Sequence, residues 1–246
     1  MPGSFLNSIV FVPLSPMKCG VVIFPGSNCD HDLMVVLKSL TGEDPVKLWH
    51  QNPSIEGCSH VFLPGGFSYG DYLRSGAIAK LSPVMKAVSE HAANGGFVMG
   101  ICNGFQILCE SGLLPGALLR NTNMKFVCKN VHLTPINTNT MVTTGLNAGR
   151  SLTIPIAHGE GRFYADEETL EHLEKNNQVV FRYCDASGNP TEESNPNGSL
   201  NNIAGVCNAG FNVFGMMPHP ERCAEEGLFN TDGRALFESI LAMASA

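Results

Sequence analysis

Three short, mostly apolar runs, each broken off by proline or glycine, set the first constraint on this chain. Cys19 to Phe24 ends at Pro25-Gly26-Ser27-Asn28, His60 to Leu63 at Pro64-Gly65-Gly66, and Phe97-Val98-Met99 runs directly into Gly100-Ile101-Cys102-Asn103-Gly104. A strand without a polar face must be covered on both sides, which is the situation of strands in a parallel sheet packed between crossover helices. The intervening stretches read as those helices. One runs from a cap at Asp30 to about Leu40, and another from Pro83 to Ala93, with proline at its start and Asn94-Gly95-Gly96 at its end. The alternation predicts parallel βα units forming an open, doubly wound α/β sheet.

The pattern changes further along. Lys125 to Ile156 alternates weakly, as antiparallel strands do, and Glu167 to Lys175 is a charged helix followed by a strand over Gln178 to Tyr183. Ser187 to Asn202, rich in Asn, Ser, Gly and Pro, reads as a long loop. Strands near Ile203 to Cys207 and Val213 to Met217 precede a closing helix from Gly233 to Ala244. No internal repeat or linker interrupts this order. Residues 17 to 246 are therefore expected to form a single domain, with 1 to 16 a loosely ordered N-terminal extension.

Charge and cysteine usage narrow the class of function. With 15 basic against 22 acidic residues the formal net charge is −7, the wrong sign for neutralising nucleic-acid phosphates or an anionic membrane. Nine cysteines, an odd number with no C-x-x-C pair, argue against a disulfide framework or structural zinc and for a cytoplasmic protein with reduced thiols. No apolar run is long enough to span a bilayer. Residues 1 to 16 lack the charged start and cleavage pattern of a signal peptide.

The chemistry concentrates in three segments. G-I-C-N-G, at a strand-to-helix junction, has the form of a nucleophile elbow. Small residues two positions either side of Cys102 let the chain turn sharply and hold the thiol at a helix amino end, where the dipole favours a thiolate. The alternative is a glycine-flanked core cysteine. Near the C-terminus, P-H-P-E supplies a base and a partner to orient it. Pro220 biases His219 toward an extended backbone, in which Glu221, two residues on, points to the same side and reaches the imidazole. Alone, that segment reads as a surface turn; beside an elbow cysteine it completes a Cys-His-Glu set. In P-G-G-F-S-Y-G-D, residues 64 to 71, the backbone at Gly65 and Gly66 is placed to approach substrate. The N–H groups of Gly66 and Asn103 together make a candidate oxyanion hole. All three segments fall at strand carboxyl ends, where doubly wound sheets bind their ligands.

On these motifs the chain resembles the class I glutamine amidotransferases. Within them it is similar to the glutaminase subunits of phosphoribosylformylglycinamidine synthase. F-P-G-S-N-C-D from Phe24, G-G-F-S-Y-G-D-Y-L-R from Gly65 and A-H-G-E-G-R from Ala157 carry the narrower likeness, G-x-C-x-G and P-H-P-E the broader one, and G-L-L-P-G-A-L-L-R-N from Gly112 and N-P-N-G-S from Asn195 also match. The likeness extends over nearly everything from Met17 onward. One departure is Phe211, where the family more often has glycine; the neighbouring Gly210 is expected to shift that turn.

The resemblance implies a flavodoxin-like sheet with some antiparallel strands, and a thioester mechanism with Cys102 as nucleophile, His219 as base and acid, and Glu221 as its partner. It places Gln106 in glutamine binding. Asp71, Arg74, His158, Glu160 and Arg162 are candidate loop or partner contacts. No third ligand is spaced to join His158 and Glu160, so no metal is expected there. The chain has no Walker-type phosphate loop. No cofactor is therefore expected in this chain, and the resemblance implies a separate synthase subunit that binds ATP and magnesium and amidates formylglycinamide ribonucleotide, joined by a small bridging subunit. The triad alone leaves open a glutaminase serving another ammonia-using synthase; a stand-alone cysteine hydrolase would not need the late P-H-P-E, and an intact Cys102, His219 and Glu221 argue against an inactive binding subunit.

Overall fold

The computed structural model describes residues 17–146 and 149–243. The expected extension over 1 to 16 lies outside them. In chain order the elements are β1 (Cys19–Ile23), α1 (Asp30–Thr41), β2 (Val46–Trp49), β3 (His60–Leu63), α2 (Pro83–Ala93), β4 (Phe97–Ile101) and α3 (Asn103–Glu110). They continue with β5 (Ala117–Leu119), β6 (Val127–Pro135), β7 (Leu152–His158), β8 (Arg162–Tyr164), α4 (Glu167–Lys175), β9 (Val179–Cys184), β10 (Ile203–Cys207), β11 (Val213–Met216) and α5 (Asp232–Met243).

Nine strands form one sheet in the order β2-β1-β3-β4-β11-β10-β9-β6-β7. From β2 to β11 the neighbours are parallel, and from β11 to β7 each pairing is antiparallel. Because alternate strands of the second half point the same way as the first, seven of the nine run in one direction. The mostly apolar strands behave as their composition requires: every residue of β3 and β4 is buried, and so is every residue of β10 and β11. A two-stranded ribbon of β5 and β8 stands apart from the sheet.

Strand order and handedness place the helices. The chain moves from β1 to β2 in one direction along the sheet and from β3 to β4 in the other, so right-handed crossovers put α1 and α2 on opposite faces. α5 packs on α1, whereas α3 lies against β3, β4 and β11. The reversal between β1 and β3 is a topological switch point, next to which ligand sites of such sheets open at the strand carboxyl ends.

Some local expectations are revised. The turn at 208–213 is not shifted onto Gly210, because Phe211 itself adopts φ 55°. The residue preceding α1 is Cys29, without a side-chain cap, and Asp30 is the first helical residue, where its charge still favours the helix dipole. The long loop from Ser187 holds a 3-10 turn at Leu200–Asn202 and is laced by Asn195 and Asn202 side-chain hydrogen bonds.

Candidate active site

Three chain turns meet at the carboxyl ends of the adjacent strands β3, β4 and β11. At the end of β4, Cys102 has φ 50° and ψ −105°, a strained backbone for a residue with a side chain, and its N–H donates to the Met216 carbonyl at 2.8 Å. The elbow closes because its flanks are small. A Cβ on Gly104 would stand 2.0 Å from the Leu63 carbonyl oxygen. Cys102 is 5% exposed, and its thiol lies 3.8 Å from the Ala157 carbonyl.

The Asn103 side chain ties the elbow to the turn after β3. Its Oδ1 accepts from the Ser68 N–H at 3.1 Å, and its Nδ2 donates to Gln106 Oε1 at 2.8 Å and to Asp71 Oδ1 at 3.4 Å. Gln106 Nε2 in turn donates to the Glu160 carbonyl at 2.6 Å, and Ser75 Oγ donates to Glu160 Oε2 at 2.9 Å. Gly66 adopts φ 142° and bridges Ser27. A Cβ there would fall 2.7 Å from both Asn28 N and Ser27 Cα, so the backbone of the two turns is in direct contact.

After β11, the His219 N–H donates to the Pro155 carbonyl at 2.8 Å, and Nδ1 lies 2.6 Å from Glu221 Oε1. Both side chains are buried. The expected pair forms, though not by the expected geometry. A 3-10 turn over Pro220–Cys223 starts directly after His219, and it is this turn that carries Glu221 back to the ring. Burial by itself would lower the His219 pKa; the Glu221 charge overcomes this, with further contributions from Cys102 and Cys29, and holds the pKa well above its ordinary value. Both thiols therefore act on the imidazole, while its Nε2 has no aligned hydrogen-bond partner. Gly65 abuts the ring: a Cβ there would stand 2.6 Å from His219 Cε1.

A cavity of about 220 Å³ opens over Cys102, lined by Gly66, Phe67, Asp71, Ser75, Gln106, Arg120, Phe126, and residues 157–160. It is smaller than the roughly 300–1,000 Å³ of common ligand sites, a size suited to a single amino acid. Of the residues singled out from sequence, Asp71, Gln106, His158 and Glu160 reach it together with Cys102 and Gly66. Arg74 does not line it and pairs with Glu110, and Arg162 donates to the Arg120 carbonyl. His158 is buried, with Nδ1 on Asn121 Oδ1 at 3.1 Å; burial first, then the neighbouring His219 charge, push its pKa down to about 4. Asp71 is pushed up to about 6, chiefly by burial, which the Ser75 hydrogen bond opposes and the Glu160 charge reinforces.

Sequence reasoning missed Arg120, Ser75 and Cys29. Arg120 lies in G-L-L-P-G-A-L-L-R-N from Gly112, a segment that matches the family, yet nothing in that segment pointed to a role for its side chain. Cys29 was visible only as part of F-P-G-S-N-C-D; its position against His219 depends on the contact between the turns after β1 and β11.

An open parallel half-sheet with a strained cysteine turn and an adjoining His-Glu pair defines a glutamine amidotransferase-type site. A sequence model described as a CobB/CobQ-like glutamine amidotransferase domain matches residues 16–236, and the chain belongs to that family. It is 54% identical to phosphoribosylformylglycinamidine synthase subunit PurQ of Chlorobaculum parvum over 93% of this chain and 91% of that protein. To the PurQ subunit of Chlorobium chlorochromatii it is 56% identical, over 92% and 97%. A chain in the structure of PurLQS from Thermotoga maritima superposes with a TM-score of 0.81 at 41% identity, covering 93% of this chain and 99% of that one.

Proposed function

We propose that this chain is the glutaminase subunit of a phosphoribosylformylglycinamidine synthase. It would hydrolyse glutamine at Cys102 and deliver the ammonia to a synthase subunit that amidates formylglycinamide ribonucleotide with ATP. The observation that carries the reading is the strained Cys102 at the base of an amino-acid-sized cavity, with the buried His219–Glu221 pair beside it. The substrate assignment is supported by PurQ relatives matching over nearly their whole length.

In this mechanism the Cys102 thiolate attacks the side-chain amide carbon of glutamine, and the tetrahedral oxyanion takes hydrogen bonds from the N–H groups of Gly66 and Asn103. His219, held by Glu221, gives a proton to the departing ammonia. A water that loses its proton to the same imidazole then cleaves the thioester, releasing glutamate and restoring the thiol. The cavity's charges suit the other end of the substrate: Asp71 and Glu160 for the α-ammonium, and Arg120 for the α-carboxylate. Gln106 braces the wall formed by Glu160.

Ammonia released to water at neutral pH becomes mostly ammonium, which is not nucleophilic, so the reading requires a docked partner. A synthase subunit carrying ATP and magnesium, and a small bridging subunit, are the proposed partners, assembled in the cytoplasm. Among the described residues no helix is long and apolar enough to cross a membrane.

One pH effect follows from Asp71. With its pKa at about 6, the carboxyl is ionised at pH 7.5 and loses its charge as the pH falls through 6. The KM for glutamine is therefore expected to rise below about pH 6. Asp71→Asn should raise it roughly 10-fold or more at pH 7.5, the size of one lost charge-assisted hydrogen bond, and flatten the KM profile across that range. Glutaminase kinetics from pH 5 to 8 check this; an unchanged profile in Asp71→Asn removes Asp71 from substrate binding.

The reading as a whole is tested by combining the chain with the cognate synthase components and offering formylglycinamide ribonucleotide or the acceptors of other ammonia-using synthases. Glutamine-dependent amidation of formylglycinamide ribonucleotide alone is expected. Amidation of a different acceptor would assign the chain to another synthase.

A further inference from the structure

We infer that Cys29, His219 and Glu221 form a binding site for a thiophilic divalent cation of the zinc and cadmium class, and that filling it stops glutamine hydrolysis. All three residues are buried, and one ligand atom from each lies within 4.8 Å of the others. Tetrahedral zinc, with sulfur at about 2.3 Å and nitrogen or oxygen at about 2.0–2.1 Å, sets its ligand atoms about 3.3–3.6 Å apart. Closing the site thus takes side-chain shifts of about 1 Å.

A second, independent feature points to a ligand here. Glu221 Oε2 is a buried atom without a hydrogen-bond partner, an unusual cost for a carboxylate that is 2% exposed. Space is kept by Gly65, where a Cβ would come within 3.1 Å of Cys29 Sγ. A sulfur, a nitrogen and a carboxylate oxygen together favour zinc or cadmium and disfavour the hard, all-oxygen ions magnesium and calcium. One group opposes a cation: Arg222 Nη2 donates to Cys29 Sγ at 3.1 Å, while its Nε lies 3.4 Å from Asp32 Oδ2. The guanidinium must turn toward Asp32 for the ion to enter, which weakens the site and makes it responsive to excess metal instead of permanently filled.

The inhibition part rests on the glutaminase reading. The metal would take Glu221 and His219 as ligands, ending the 2.6 Å contact that orients the imidazole, while ammonium-dependent synthesis by the partner would continue. The site itself is tested without any activity. In the full chain carrying Cys102→Ala and Cys128→Ser, the second removing an exposed thiol, cadmium titration is followed by the ultraviolet sulfur-to-cadmium absorption. One equivalent of binding, competed by zinc and lost when Cys29→Ala is added, is expected. An absorption unaffected by Cys29→Ala overturns the site. In the otherwise unaltered chain, zinc should block glutamate release reversibly with a chelator. Cys29→Ala and Cys29→Ser should each need at least 10-fold more zinc for half inhibition, and variants that remain as sensitive to zinc as the unaltered chain overturn the proposed inhibition. A chain that binds cadmium through Cys29 yet never releases glutamate would count against the glutaminase reading alone.

Discussion

Replacing Cys102 with alanine should abolish glutamine-dependent amidation by the assembled synthase, a loss on the order of 10⁴-fold or more, and leave ammonium-dependent amidation within about twofold of the unaltered complex. The contrast arises because the substitution removes a single sulfur. The elbow is held by the Cys102 N–H on Met216 and by the fit of Gly104 against Leu63, and neither contact uses the thiol. Alanine occupies φ 50° and ψ −105° no less readily than cysteine, so fold and docking surface persist. Without the thiolate no thioester forms, and neither the base nor the oxyanion donors have an intermediate to act on. Ammonium supplied in solution enters downstream of this chain, so its use is unaffected. Product formation from each nitrogen source separates the outcomes. Retention of glutamine-dependent activity would remove Cys102 from the chemistry.

Gly66→Ala should lower glutamine hydrolysis by about 100- to 1,000-fold, the value of one misplaced oxyanion donor, again sparing ammonium-dependent synthesis. At φ 142° an added Cβ would stand 2.7 Å from Asn28 N and Ser27 Cα and 2.9 Å from the Gly26 carbonyl. These are backbone atoms, so no rotamer change relieves the clash. The two turns must part, taking the Gly66 N–H with them. Gly42→Ala is the matched control, since Gly42 also has positive φ, at 75°, but nothing lies within 4 Å of its added Cβ. It carries the backbone cost of alanine without moving the site. Comparable losses of hydrolysis in the two variants would mean that Gly66 matters only for folding.

What could be read from the sequence was what short segments encode. The strands β1, β3 and β4 are apolar runs with glycine or proline at their ends, and their boundaries fall close to where that punctuation predicts. Cys102 was identifiable because an elbow needs small neighbours, and those neighbours are adjacent in sequence. β2 carried no such mark: it is a four-residue edge strand with only Leu48 buried. Likewise β5 and β8 are three residues each and exist only by pairing with each other across the chain. The His219–Glu221 pair followed from spacing, but its 3-10 turn depends on where β11 delivers the chain, a tertiary effect. Arg120 and Cys29 illustrate the same limit at the site, because their roles come from the meeting of distant turns rather than from neighbouring residues.

The central claim, that Cys102 is the glutamine-attacking nucleophile, is tested most directly by a chloroketone analogue of glutamine followed by peptide mapping of the labelled chain. The account predicts one adduct, on the peptide carrying Cys102, suppressed by excess glutamine and absent from Cys102→Ala. An adduct on Cys29 or another of the nine cysteines, with Cys102 unmodified, would contradict it.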